Sequence, residues 1–231
     1  MPTPDRALLE RARDAAVDAA QHAARLIRRH AGHIDEAEVA EKATHDLVTD
    51  VDTQAQERIR TVLHHAFPGF AFLAEEGPDT GAEATADGYR WIVDPIDGTT
   101  NFTRGVPPYA VSIALQREAE LVVGVVLEVA RGELFTAIQG AGAFGDGRRL
   151  HVSRRATLET SLLTTGFPYR AFDHIDDYLT VFRDFMRRSR GVRRPGAASV
   201  DFAYVAAGRF DGFFETGLRA WDVAAGAVLV T

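Results

Sequence analysis

Two acids three residues apart, Asp94 and Asp97, flank Pro95-Ile96 in the stretch Trp91-Ile92-Val93-Asp94-Pro95-Ile96-Asp97-Gly98-Thr99-Thr100-Asn101-Phe102. An apolar run rich in β-branched residues ends at Asp94. Pro95 then fixes one backbone dihedral and removes a donor, and Gly98 frees the chain just before a pair of hydroxyls. The pattern predicts a strand running out of a sheet into a rigid turn. That turn presents two carboxylates, the carbonyl between them at Ile96, and Thr99 just beyond. Hard cations such as Mg²⁺ prefer this set of oxygens.

Other acids stand at the ends of predicted elements. Asp46, Asp50 and Asp52 lie in Thr44-His45-Asp46-Leu47-Val48-Thr49-Asp50-Val51-Asp52, ahead of a helical pattern, where Asp50 or Asp52 also reads as a plain helix N-cap. Glu75-Glu76 close the short apolar run Phe70 to Ala74. Asp222 heads the last apolar helix, where a lone acid reads equally as a cap or first-turn residue. Gathering Glu75, Asp94, Asp97 and Asp222 in one pocket without a cation would strongly disfavour their ionisation. Bound Mg²⁺ reverses that penalty and lets an acidic pocket take a phosphate ester. Clustered metals would polarise phosphoryl oxygens, activate a water and stabilise a leaving alkoxide, with Thr99 near an acid such as Asp52 orienting the water. The chain has no cysteine, no P-loop and no Gly-x-Ser-x-Gly elbow, so hydrolysis by a metal-activated water is the most economical chemistry. The glycine-rich stretch Gly140 to Gly147 lacks the Gly-Lys-Ser/Thr ending of a phosphate loop and reads as a turn between strands.

The elements that must position these residues follow from the pattern. An Ala-rich helix is expected from a cap at Thr3-Pro4 to a stop at Gly32, and a second over Ala55 to Ala66. Tyr109–Leu115, Leu121–Val129 and Glu133–Ala137 predict an antiparallel meander. Leu162–Thr165 predicts a strand. An amphipathic helix follows from Ile175, and another is opened by Pro195-Gly196-Ala197-Ala198-Ser199 and closed by Gly208. A strand at Phe210–Glu215 and a helix at Val223–Val230 complete the order, and residues 77–89 read as a solvated loop. At 231 residues and 46% hydrophobic, the chain can bury a large core as a single domain of two joined lobes, 1–150 and 151–231. A net charge of -7 gives no support for direct nucleic-acid binding, and Arg187, Arg188, Arg190, Arg193 and Arg194 read mainly as a solvated helix end. The absence of cysteine, of a signal-type segment and of a membrane span fits a cytoplasmic protein. The apolar run Val228-Leu229-Val230 before Thr231, with no C-cap or polar tail, predicts a sequence cut short.

Asp94 to Phe102 resembles the first signature of the inositol monophosphatase family, and Trp221-Asp222-Val223-Ala224-Ala225-Gly226 resembles the second. Asp46 to Asp52 and Ala74-Glu75-Glu76 sit where that family carries its other acids, and Arg193 to Gly226 is similar to the bacterial inositol-1-monophosphatase branch. The resemblance implies an α+β fold, a layered αβαβα sandwich whose last strands and helix are missing here. It also implies a homodimer and lithium-sensitive, Mg²⁺-dependent hydrolysis of inositol 1-phosphate. On this resemblance Glu75, Asp94 and the carbonyl of Ile96 hold a first Mg²⁺, and Asp94, Asp97 and Asp222 a second, of two or three ions in all. Thr99 with Asp52, and Glu75 beside them, are the catalytic residues. The amides of Gly98 and Thr99 grip the phosphate, while Gly196, Ala198 and Glu215 contact inositol hydroxyls and Arg193 matches a substrate-side arginine. Ile96, Asp97 and Asp222 border the same substrate. Pro195 departs from the family, where many members carry a small or polar residue. Relatives acting on histidinol phosphate, fructose 1,6-bisphosphate or 3′-phosphoadenosine phosphate share the metal turn. Glu215 favours a hydroxyl-rich substrate, because a carboxylate accepts from vicinal hydroxyls. Some bacterial relatives take part in transcription complexes, so a non-catalytic regulatory role stands beside the enzyme.

Overall fold

A computed structural model describes residues 5–33, 39–43, 46–77, 88–168 and 172–231. The expected cap at Thr3-Pro4, the pair Thr44-His45 and most of the loop 77–89 lie outside these residues. Helix α1 (Arg6–His30) starts on Asp5, whose side chain accepts from the Ala7 amide, and stops at Ala31 before Gly32 at φ 73°. A short antiparallel hairpin, β1 (Val39–Ala43) with β2 (Asp46–Thr49), leads into α2 (Asp50–Ala66). The buried stripe of α1 is mostly alanine, Ala12, Ala16, Ala19, Ala20 and Ala23, so α2 packs close against it.

A large sheet follows in chain order: β3 (Ala71–Ala74), β4 (Tyr89–Asp97), β5 (Ala110–Arg117), β6 (Glu120–Glu128), β7 (Glu133–Ile138), β8 (Gly142–Gly145) and β9 (Arg148–Arg149). The one-turn helix α3 (Thr99–Thr103) lies between β4 and β5. Among the described residues of this sheet only β3 and β4 run parallel; the expected meander β5-β6-β7 is antiparallel, as its short connections require. The Gly140–Gly147 stretch does more than turn. It supplies β8, which pairs with β7 from Phe135↔Gly145 to Ile138↔Gly142, because ladder pairing needs only backbone groups.

Side chains alternate across the sheet, so each face meets a different partner. Trp91, Val93, Ile113, Leu115, Val123 and Val125 join the core under α1 and α2. Ile92, Ala110, Ala114, Val126 and Phe135 pack on the opposite face under α5 (Ala198–Ala206) and α6 (Ala220–Val230). Beyond α5 lies a parallel sheet in the order β11 (Gly191–Arg193), β10 (Leu162–Thr165), β12 (Gly212–Phe214). Its pleat sends Phe213 to Phe202 of α5 (ring centroids 4.9 Å) and Phe214 to Phe185 (4.9 Å) of α4 (Ile175–Arg188). The layers are therefore α1/α2, large sheet, α5/α6, small sheet and α4, the expected αβαβα sandwich. Among the described residues no helix is long and apolar enough to cross a membrane.

One departure from the expected elements builds the site. Strand β4 does not stop at Asp94; it runs on to Asp97 through a bulge. Asp94 pairs with Ser112 and Asp97 with Ala110, so three steps on β4 match two on β5. Pro95 lacks the amide for a regular ladder, which explains where the extra residue sits. In a regular strand, residues three apart point to opposite faces. The bulge puts both acids on the face shared by Ser112 and Ala110, toward α5 and α6.

The α6 seat depends on Gly124 in β6, where an added Cβ would lie 2.5 Å from the Ala225 carbonyl oxygen and 3.0 Å from Val228 Cβ. Backbone cannot yield there as a side chain would. Gly124→Ala is expected to destabilise the protein by about 1–3 kcal/mol in denaturant titration. Unchanged stability would mean that α6 does not rest on β6 as described.

Candidate active site

Five acids share one neighbourhood. Asp94 is almost fully buried, and its carboxyl is held well above the usual range by burial, then by Glu75, Asp97, Asp222 and Asp52. Its Oδ1 accepts from the amide of Ile96 (3.0 Å), an Asx-type bond that fixes the Pro95 bend.

Asp52, Asp97 and Asp222 each accept from a backbone amide at a helix start. Thr49, rather than Asp50 or Asp52, is the N-cap of α2, and Asp50 faces solvent. Asp52 sits at the third helical position and completes the capping box. Its Oδ2 accepts from Thr49 N (2.8 Å) and Thr49 Oγ (2.6 Å), while its Oδ1 lies 3.2 Å from Thr99 Oγ. Capping and facing the site are thus compatible, because each uses a different oxygen. Asp222 repeats the arrangement: Oδ2 accepts from Arg219 N (2.6 Å) at the start of α6. Ser112 Oγ ties the same turn to β5 through the Trp221 carbonyl (3.2 Å). Glu75 is half-buried where β3 ends. Gln56, one turn along α2 from Asp52, holds that end by accepting from Glu76 N (2.9 Å) and donating to Glu76 O (2.5 Å).

Asp97 is held by α5. Its Oδ1 accepts from Ala198 N (3.2 Å), and its Oδ2 from Ser199 N (2.7 Å) and Ser199 Oγ (2.5 Å). Its pKa is raised to about 7, by burial first, with the Ser199 hydroxyl opposing and Asp222 adding to the rise. Gly98 makes this docking possible. It sits at φ 89°, and a Cβ there would lie 3.0 Å from Gly196 O, 3.2 Å from Pro108 O and 3.3 Å from Ala197 Cβ. Asn101 bridges the same junction, donating to the carbonyls of Pro108 and Pro195 (both 2.8 Å). Pro195 fits this contact, since Asn101 uses its carbonyl and needs no amide. Thr99 Oγ lies 3.0 Å from Ile96 O as well as near Asp52.

The model of the inositol monophosphatase family matches residues 8–231. The chain belongs to this family. It is 48% identical over 217 residues to the Nus factor SuhB of Pseudomonas aeruginosa, covering 93% of this chain and 80% of that one. It is 45% identical over 214 residues to an inositol-1-monophosphatase of Mesorhizobium japonicum, with the same two coverages. The solved structure of extragenic suppressor protein SuhB from Bartonella henselae superposes with a TM-score of 0.87 at 42% identity, over 94% of this chain and 83% of that one. A solved IMPase/NADP phosphatase complexed with Mg²⁺ and phosphate superposes at 0.71 with 29% identity, over 83% and 70%. The family is one of Mg²⁺-dependent phosphatases.

The donors present fit such an ion. All are hard oxygens, and a cation would offset the burial and repulsion that raise the Asp94 pKa. Among the described residues no group of three or more acids or histidines stands arranged to hold a metal ion. Mg²⁺ usually keeps several waters and is bound through one or two carboxylates, so it needs no dedicated all-protein cage.

Glu215 follows β12, and its carboxyl lies directly over Gly166. Its pKa rises to about 8 through burial and then Asp97, with Arg194 opposing. The structure does not bring Arg193 to the acids. That side chain is exposed and donates to its own neighbour's carbonyl at Val192 (3.3 Å), whereas Arg194 is the arginine coupled to Glu215. Four residues of the site were not singled out from the sequence: Gln56, Asn101, Ser199 and Asp201. Asp201 is buried in α5 and accepts from Thr164 Oγ (2.6 Å), with burial raising its pKa to about 8. An acid inside the apolar run Val200 to Val205 is a local signal; the other three give none.

Asp97, Glu215 and Asp201 all titrate above the unfolded value of about 4. Without a cation the folded state therefore keeps protons that the unfolded state has lost. The contribution of these groups is greatest at low pH and disappears as pH rises through about 7 to 8. The thermal midpoint of the metal-free protein should fall from about pH 5 to about pH 9, and Mg²⁺ should flatten that slope. A midpoint that climbs with pH and ignores Mg²⁺ would contradict the electrostatic picture.

Proposed function

We propose that this chain is a Mg²⁺-dependent phosphomonoesterase that hydrolyses inositol 1-phosphate, or a closely similar polyol phosphate, to the free polyol and phosphate. The observation that carries the proposal is the Thr99 hydroxyl, set 3.2 Å from Asp52 Oδ1 amid the clustered acids. Thr99 has one proton to give, and its oxygen lone pairs then accept from a water. The water passes a proton toward Thr99 Oγ as the Thr99 proton moves toward Asp52, which the two Thr49 donors hold in place. Glu75, Asp94, the Ile96 carbonyl, Asp97 and Asp222 are the groups that would hold Mg²⁺. When bound, the ion supplies polarisation of the phosphoryl oxygens, a lowered water pKa and stabilisation of the leaving alkoxide.

The amides of Gly98 and Thr99 face the phosphate in this reading, and Gly196, Ala198 and Glu215 line the polyol. Arg193 would reach substrate only by leaving the Val192 carbonyl. Two or three ions, lithium sensitivity, a homodimer and a cytoplasmic location belong to the same proposal, on the strength of the family resemblance. A second reading is favoured by the relatives named Nus factor SuhB: a binding partner in a transcription complex, with or without catalysis.

Phosphate release with Mg²⁺ should be fastest from inositol 1-phosphate among that ester, histidinol phosphate, fructose 1,6-bisphosphate and 3′-phosphoadenosine phosphate. Inertness toward every ester would turn the assignment to the binding role. Asp94→Asn should lower turnover by more than about a hundredfold, beyond the loss expected for an outer-shell partner. Wild-type turnover in that variant would refute the metal assignment. Thr99→Ala should lose about a hundredfold or more while Thr99→Ser retains most activity, as a proton-relay hydroxyl requires. Equal loss in both variants would remove Thr99 from the chemistry.

A further inference from the structure

Ser199 has no role in the function proposed above, yet it makes two of the three hydrogen bonds that reach the Asp97 carboxylate from α5. Helix α5 has no cap of its own, because its N-cap residue is Ala197, so Asp97 caps it from the end of β4. An ionised carboxylate offers about four lone-pair positions, two on each oxygen. On Oδ2 the Ser199 amide takes one and the fully buried Ser199 hydroxyl takes the other. On Oδ1 the Ala198 amide takes one. That leaves one position, on Oδ1.

We propose that Ser199 is a positioning residue that makes Asp97 a one-oxygen ligand and so biases the site toward Mg²⁺ over Ca²⁺. Mg²⁺ takes carboxylate oxygens singly in a near-octahedral shell, whereas Ca²⁺ has a larger shell that readily takes both oxygens of one carboxylate. With the amide alone on Oδ2, Asp97 would present a lone pair on each oxygen. The Ser199 hydroxyl removes that option without adding charge. The inference rests on the reading that Asp97 holds a cation. It concerns selectivity, which a hydroxyl serving only to cap α5 would leave unchanged.

The test is calorimetric titration of the metal-free protein with Mg²⁺ and, separately, with Ca²⁺, beside the thermal midpoint of each variant. Ser199→Ala should shift the ratio of the two dissociation constants by about tenfold in favour of Ca²⁺, the scale on which outer-shell partners act on metal sites. Ser199→Thr keeps the hydroxyl and should return the ratio to that of the parent chain. Asp97→Asn separates cation binding by Asp97 from selectivity set by Ser199. If it leaves Mg²⁺ affinity unchanged, the cation reading of Asp97 itself fails. If it weakens Mg²⁺ binding while Ser199→Ala leaves the ratio unmoved, only the selectivity role of Ser199 is overturned. A lowered midpoint in Ser199→Ala with an unmoved ratio overturns that role too, since it assigns the hydroxyl to capping alone.

Discussion

Crowded carboxylates set the terms for everything around them. At about 4 Å and an effective dielectric of about 20, two like charges repel by about 4 kcal/mol, so a cluster of acids must be offset or kept neutral. Part of the offset is structural. Helices α2, α5 and α6 all begin at the cluster, with Asp52 and Asp222 in first turns and Asp97 capping α5. A helix N-terminus carries about half a positive charge and unsatisfied amides that a carboxylate can satisfy. Asp94 belongs to no helix, and burial with four acid neighbours pushes its pKa well above the usual carboxylate range. What the helix ends leave uncompensated is the charge a cation would supply.

The convergence depends on two small backbone features. The bulge at Pro95 turns both acids of β4 to one face, and that face carries α5 and α6. Gly98, at a positive φ, then lets the strand end approach the Gly196 carbonyl and the Ala197 side chain, where a Cβ would be strained and crowded. Gln56 performs a similar service on the other side, so α2 places both Asp52 and the end of β3. The site therefore lies at the junction of the two cores and belongs to neither alone.

Much of this was legible in the sequence because it is local. The alternation of β4 to β7, the helix stops at Gly32 and Gly208, and the acids at element ends all follow from short-range pattern. The pattern misleads where one residue serves two purposes. Asp52 invites a choice between cap and site residue, and the structure uses one oxygen for each. Pro95 reads as the end of a strand, but it marks a bulge within one. Glycines at 142 and 145 read as a turn, yet they pair as a strand through their backbone. Ser199 was beyond local reasoning, since its partner Asp97 lies 102 residues earlier. Arg193 and Arg194 are adjacent and chemically alike. Only the third dimension shows which one is coupled to Glu215.

The layout also links the two halves of the site. The acids and Thr99 come mainly from α2 and the β3–β4 edge, whereas Gly196, Ala198 and Glu215 come from α5 and the small sheet. Asp97 joins them, with its backbone in β4 and its carboxylate on α5. It cannot turn toward a cation by changing rotamer without uncapping α5, a loss of about 1 kcal/mol for an ordinary cap. Asn101 adds a second tie, holding Pro195 at the entrance to α5 with the same amide that holds Pro108. Any displacement of the acid cluster is thereby passed to α5. The acid cluster and the start of α5 are thus fixed by one junction and not by two independent ones.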